Sequence, residues 1–293
     1  MELSMRKKLE ELADELLVGA YDLHIHSLPS VFPRKLDGFQ LIQEADAAGM
    51  AGVMLKSHYE STALRAEFIN RYSGCRTKAY GGLVLNWPAG GLNVYAVINA
   101  LKAGAKIIWM PTRDSENSLR FGNMDGDFFD RSGISILDER GHLQERVYDI
   151  LDAVKEKGAF LATGHISPEE SILLCREGRD RGVNMILTHP DFPRTLVDID
   201  MQVELADLGV YIEKTWFNIA LGGVSIKKTA EDIRRIGSRR AYIATDRGQK
   251  DMPSPTMEMK RFIGSLLEEG LSEDQLRDLV QRVPRGILKV EQQ

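Results

Sequence analysis

Eight short apolar runs recur along the chain, separated by longer stretches in which apolar residues repeat every three or four positions. The runs occupy residues 21–26, 52–58, 79–86, 106–112, 159–165, 184–189, 210–216 and 241–246. Short, nearly continuous apolar runs suit strands buried on both faces, as in parallel sheets. The stretches between them have helical periodicity and predict helices over 38–48, 61–72, 92–103, 144–157, 168–181, 199–208 and 226–236. A further helix leads the chain over 3–17, and two more follow the last run over 256–269 and 272–283. Five helices close on a glycine just before a strand, at Gly49, Gly104, Gly158, Gly182 and Gly209, where the left-handed turn that ends a helix is needed. Eight strand–helix units within about 250 residues match the α/β class and the (β/α)8 TIM barrel. The expectation is one domain over 1–293, with a leading helix and extra C-terminal helices. An open doubly wound sheet is the alternative.

One connection breaks the rhythm. Residues 113–143, between the fourth strand and its helix, are polar and include Gly122, Asp125-Gly126-Asp127 and Gly133. Within this stretch, 134–143 reads as a small hairpin turning near Arg140-Gly141. A loop of this length on the C-terminal face of a barrel is either functional or a decorated surface loop.

A barrel strand should stay apolar to its end unless the end has a task. Here the ends carry His24 and His26, Lys56 and His58, Asn86, Thr112, His165, His189, Glu213 and Asp246. Five of the six histidines fall at these ends, with only His142 elsewhere. In an extended segment residues i and i+2 share a face, so His24 and His26 project together. Strand ends of a parallel barrel meet at the rim where active sites lie. Imidazoles with one carboxylate suit a divalent transition metal, Zn²⁺ first, with Fe²⁺, Mn²⁺ or Ni²⁺ as alternatives. A catalytic ion keeps a position open for water and lowers its pKa. Asp246 is the candidate general base.

Composition narrows the class of partner. The net charge of −5 argues against broad nucleic-acid or anionic-membrane binding. No apolar run reaches the roughly 20 residues of a membrane span, and the first residues lack the apolar core of a signal peptide. The two cysteines, Cys75 and Cys175, form no CxxC pair, which fits a reducing cytoplasm. The expected partner is a small molecule; Arg34, Lys35 and Arg113, in strand-to-helix loops, hint that it is anionic. A homo-oligomer is compatible with the pattern, and nothing in it fixes the oligomeric state.

His24-Ile25-His26, Thr163-Gly164-His165, Thr188-His189-Pro190 and Ala244-Thr245-Asp246, in this order on strands one, five, six and eight, resemble the amidohydrolase superfamily of metal-dependent hydrolases. Val283-Pro284-Arg285-Gly286-Ile287-Leu288 is similar to the short terminal helix that many members carry. The resemblance implies that His24, His26 and Asp246 bind a buried metal. It further implies that His165 and His189 bind a second ion, or that His165 joins a single ion while His189 contacts substrate. Two-metal members bridge their ions with a carbamylated lysine or a glutamate at the end of strand four. Here that strand ends Met110-Pro111-Thr112, and Lys56, at the end of strand two, is the substitute candidate, as a carbamate or as an ammonium that binds an anion. His58, Asn86, Glu213 and Arg113 are the candidate substrate contacts; the alternatives are a metal ligand or a loop residue for His58, a turn for Asn86, an ion pair with a lysine or arginine for Glu213 and an exposed loop arginine for Arg113. The implied activity is hydrolysis of an amide, cyclic amide, lactone or other ester. Single-metal non-oxidative decarboxylation and phosphoester hydrolysis are the rivals, and a non-enzymatic metal- or ligand-binding barrel is the remaining reading.

Overall fold

The computed structural model describes residues 2–122 and 130–289. Asp125-Gly126-Asp127 of the long connection lie outside the described residues. The strands are β1 (Tyr21–Ile25), β2 (Gly52–Leu55), β3 (Lys78–Val84), β4 (Ile107–Trp109), β5 (Phe160–Ala162), β6 (Asn184–Leu187), β7 (Tyr211–Thr215) and β8 (Ala241–Ala244). They follow one another in a single eight-stranded sheet in the order β1 to β8. The pairings β1–β2, β3–β4, β4–β5, β5–β6 and β6–β7 are parallel. A helix follows every strand, which is the topology of the (β/α)8 barrel that the alternation predicts.

Each strand is shorter than its apolar run, because the polar residues that end the runs lie beyond the last ladder position. The helices start where side chains can cap them. Ser167 accepts from the Glu170 N–H while Glu170 reaches back to the Ser167 N–H, and Pro168 sits in the first turn, so Pro168–Asp180 begins as predicted. Asn93 accepts from the N–H groups of Tyr95 and Ala96, which moves the start of the next helix to Val94, two residues later than expected. Gly158, at φ +60°, ends Glu145–Lys157.

Three local expectations differ. Residues 134–143 make the turn at Arg140-Gly141 but no ladder: Leu137 and Leu143 form one antiparallel bridge, while Ile134 pairs in parallel with Ser115. Asp138 holds the turn by accepting from the N–H groups of Arg140 and His142 at 2.9 Å each. The connection also contains a short helix, Glu116–Phe121, capped by Ser115. After the last strand, the predicted 272–283 helix is Glu273–Arg277 followed by a π-helical turn, Asp278–Arg282, that hands on to Val283–Leu288.

The chain packs as two compact units. One comprises the described parts of Met1–Leu55, Ala66–Tyr80 and Lys214–Gln293. There β8 returns beside β1, and helix Glu2–Leu17 packs on Pro255–Glu268. Phe262 is fully buried, 5.4 Å from the Trp216 ring. The other unit comprises Lys56–Arg65 and Gly81–Glu213. Its register aligns Ile108, Leu161 and Met185, all fully buried. The Cys175 thiol lies in this interior, and burial pushes it up to about 12.

Two outcomes follow from this packing. Phe262→Ala should cost about 3–5 kcal/mol, read as a lower urea midpoint at unchanged slope. A thiol reagent should label Cys75 in the native protein, and Cys175 only after unfolding.

Candidate metal centre

The centre is built where β1 and β8 run side by side. Asp22 is buried on β1, and its Oδ1 accepts from the N–H groups of His24 and Thr245, at 3.1 Å each. Its Oδ2 accepts from the Thr245 hydroxyl. The Asp246 N–H donates to the His24 carbonyl at 2.9 Å, and the His26 N–H to the Arg247 carbonyl at 2.8 Å. Gly248 completes the close approach: at φ +135°, it has no room for a Cβ, which would lie 1.8 Å from the His26 carbonyl oxygen.

This lacing brings His24, His26 and Asp246 together. Both Nε2 atoms face the same carboxylate oxygen, Asp246 Oδ1, at 3.1 Å from His24 and 3.2 Å from His26. The three ligand atoms lie within 4.8 Å of one another. The rings are 5.5 Å apart at 63°, so the i, i+2 expectation holds in the tilted form that converging ligands need. Asp246 has φ +51°, a left-handed conformation that non-glycine residues rarely adopt and that concentrates at functional sites.

The electrostatics suit a cation. Burial, aided by the positive charge of Arg34, pushes His26 down to about 3, which keeps its ring in the neutral, ligating form. Burial opposes ionisation of Asp246, but the field of His24 and the hydrogen bonds from His24 and His26 outweigh it and hold the carboxyl well below the usual carboxylate range. Asp22 is pushed up to about 7 by burial, against its hydrogen bonds to Thr245 and His24. Two buried imidazole nitrogens and one ionised carboxylate oxygen aimed at one point are a donor set that fits a divalent transition metal.

The second unit gathers three more histidines. The His165 ring lies 6.1 Å from that of His58 and 4.9 Å from that of His189. The His165 N–H donates to the Pro111 carbonyl at 2.9 Å, and its own carbonyl accepts from Ser115 Oγ and Asn117 Nδ2. His189, at φ +27°, donates its N–H to Glu213 Oε2 at 3.1 Å. Its Nδ1 is 3.2 Å from Thr195 Oγ1, whose proton goes to the His189 carbonyl at 3.0 Å. Nδ1 therefore carries the hydrogen, and Nε2 is the acceptor nitrogen.

The remaining sequence candidates take definite places. Glu213 is fully buried, and its carboxylate accepts from the His189 N–H. Lys56 is buried, with its ammonium 5.4 Å from the centroid of the Trp109 ring. Asn86 is fully buried; its amide donates to the His58 carbonyl and to Thr112 Oγ1, and its oxygen accepts from the N–H groups of Thr112 and Asp114. It is a clamp between loops. Arg113 is buried, and its carbonyl accepts from Arg131 at 3.1 Å. Sequence reasoning missed Asp22, Thr195 and Thr245. Asp22 was within reach, since it shares the i, i+2 face of His24.

Residues 19–213 match the profile of DUF6282, a family of unknown function. The chain belongs to this family. A search of curated proteins finds no match. Among solved structures, the fold of this DUF6282 chain is similar to an amidohydrolase from Pseudomonas aeruginosa, with TM-score 0.65 and 13% identity over 96% of this chain and 98% of that one. It is also similar to a Pseudomonas putida structure described as a 2-pyrone-4,6-dicarboxylic acid hydrolase (TM-score 0.61, 12% identity, 94% and 99% covered). A third is 2,6-dihydroxybenzoate decarboxylase from Rhizobium (TM-score 0.58, 13% identity, 93% and 99% covered). At these identities the likeness is one of fold, the (β/α)8 barrel.

Gly248→Ala should push the end of β1 away from β8 without removing any ligand atom. The expected result is divalent-metal binding weaker by about tenfold or more, measured by titration against a competing chelator.

Proposed function

We propose that this DUF6282 protein is a metal-dependent hydrolase that uses water to open a C–N or C–O bond of a small molecule. The convergence of His24 Nε2, His26 Nε2 and Asp246 Oδ1 carries the reading. Support comes from the fold, shared with solved hydrolases, and from the order of the sequence motifs on the strands. When bound, a divalent ion would polarise a carbonyl and make a nearby water more acidic. His24 and His26 would hold it through Nε2, and Asp246 through Oδ1. Oδ2 of Asp246 is then the atom that takes a proton from water and returns it to the leaving group. The resemblance adds His165 and His189 as further ligands or substrate contacts, and the acceptor state of His189 Nε2 suits either role. Lys56 keeps its candidate role in bridging or in binding an anion. Zn²⁺ is the favoured ion, and an anionic substrate is favoured by Arg34, whose charge reaches His26.

A second reading, non-oxidative decarboxylation, is favoured by one observation. Just beyond β4 come Met110, Pro111 and Thr112, with the Thr112 hydroxyl engaged with His58 and Asn86, so this strand end offers no lysine or glutamate to bridge two ions. A single ion suits the decarboxylase chemistry named for the Rhizobium structure.

Metal analysis should find about one Zn²⁺ or similar ion per chain, and the double variant His24→Ala/His26→Ala should find none. Protein that neither holds nor responds to any divalent metal would sink both readings. Asp246→Asn should retain much of the metal but lose about 10²–10⁴-fold in turnover across a panel of lactones, cyclic amides and aromatic acids. Release of CO₂ rather than an acid product would select the second reading. No helix among the described residues is long and apolar enough to cross a membrane.

A further inference from the structure

We propose that the protein has a second small-molecule site, one for a phosphate group, formed by Tyr21, Arg76, Lys78, Tyr80 and Arg285 where the first three strands begin. It lies at the opposite end of β1 from His24 and His26, and it does not depend on the metal reading.

A cavity of about 810 Å³ opens at the starts of β1, β2 and β3, within the size range of small-molecule sites. The described residues that line it all belong to the unit that holds β1 and β8. Gly52 opens β2 and pairs with Tyr21 in the ladder. A Cβ on Gly52 would meet the Tyr80 ring at 2.7 Å and the Tyr21 ring at 2.9 Å. Its φ lies outside the left-handed region, so glycine supplies space here, and the two rings take that space. Lys78 and Tyr80 stand at i and i+2 on β3 and share the face that lines the cavity.

Both phenols are donors. Burial pushes Tyr80 up to about 12, with Tyr21 beside it adding to the effect. Burial raises Tyr21 as well, against the positive charge of Arg285. The two hydroxyls therefore keep their hydrogens at neutral pH. Neither bonds to another described residue, and neither is sealed from solvent.

The charge balance selects an anion. Arg76 precedes β3, Lys78 is its first residue, and Arg285 comes from the helix Val283–Leu288. Among the described residues, neither Arg76 nor Lys78 is held in an ion pair. A fourth cation, Arg282, is spent on Asp274 and Asp278, at 2.8 Å each. The one carboxylate among the described lining residues is Asp46. Its Oδ1 accepts from the Thr77 N–H at 2.8 Å, the Thr77 hydroxyl at 3.0 Å and the Arg76 N–H at 2.9 Å, and these bonds hold it below the usual carboxylate range. Three cations thus face one carboxylate already engaged with its own loop, and the local field favours negative charge. A carboxylate offers two oxygens in one plane. A phosphate monoester offers three acceptor oxygens in a pyramid and carries nearly two charges. That shape suits ammonium, guanidinium and phenol donors arriving from β1, β3 and the C-terminal helix.

The test is calorimetric titration of the protein with phenyl phosphate, with benzoate as the carboxylate on the same ring. Phenyl phosphate should bind with a Kd of about 1 mM or tighter, and benzoate at least about tenfold more weakly. Treatment with a chelator should leave the phenyl phosphate affinity within about threefold. Lys78→Ala and Arg76→Ala should each weaken it about fivefold or more. Both side chains are exposed, and Asp46 bonds the backbone of Arg76, so neither variant threatens the fold. Lys78→Arg should stay within about twofold of the parent, and Tyr80→Phe, which removes only a hydroxyl, should cost about threefold. Lys102→Ala, at the end of the helix Val94–Lys102, is the control for a charge lost elsewhere and should change nothing. Absence of binding at about 10 mM, equal binding of benzoate, loss of binding on removal of metal, unchanged affinity in Lys78→Ala or Arg76→Ala, or an equal loss in Lys102→Ala would each overturn the proposal. A protein that takes up no metal but binds phenyl phosphate as described would sink the metal reading and leave this one standing.

Discussion

The site depends on one buried carboxylate that is not itself a candidate metal ligand. Asp22 takes three hydrogens, two from backbone N–H groups and one from the Thr245 hydroxyl, and in doing so fixes the height of β1 against β8. With that height fixed, His24 and His26 on one strand and Asp246 on the other meet at one carboxylate oxygen. A one-residue slip would turn both imidazoles to the opposite face of the strand. Burial raises Asp22 to about 7, so the same carboxylate that sets the register is also held at some cost in its ionised form. Such a cost is tolerable where several donors share it.

Much of this was legible in the sequence, for a physical reason. Apolar runs and helix caps are local, and local signals survive without tertiary context. The eight strands, the glycine-closed helices and the HxH pair were readable because each depends on neighbours a few residues away. The single bridge at Leu137 and Leu143 was not, because Ile134 is drawn to Ser115, outside the segment in which a hairpin would be judged. The π-helical turn Asp278–Arg282 was hidden in the same way, since the apolar spacing over 272–283 continues through it.

Site roles divide along the same line. Residue type and strand position picked out His24, His26 and Asp246, which the fold brings together. They said little about Asn86 and Glu213, whose partners lie 20 or more residues away and whose polar atoms are consumed inside the protein. A polar residue at a strand end proves to be one of two things: a group aimed outward at a ligand, or a group that aims another. Telling them apart takes a census of hydrogens, which spacing does not supply. The threonines Thr195 and Thr245 belong to the second kind, bonded to His189 and Asp22.

The left-handed backbone at Asp246 narrows the paths by which this chain can change. Among side chains, asparagine shares the tolerance of aspartate for that conformation, and glycine accepts it freely. A glutamate, which would keep the charge, meets the steric penalty of an ordinary residue and carries its carboxylate one carbon further out. Drift at this position therefore runs toward loss of the acid rather than toward its replacement. A descendant that abandoned the chemistry would leave a recognisable scar, an asparagine or glycine at the end of β8, still tied through its N–H to the His24 carbonyl.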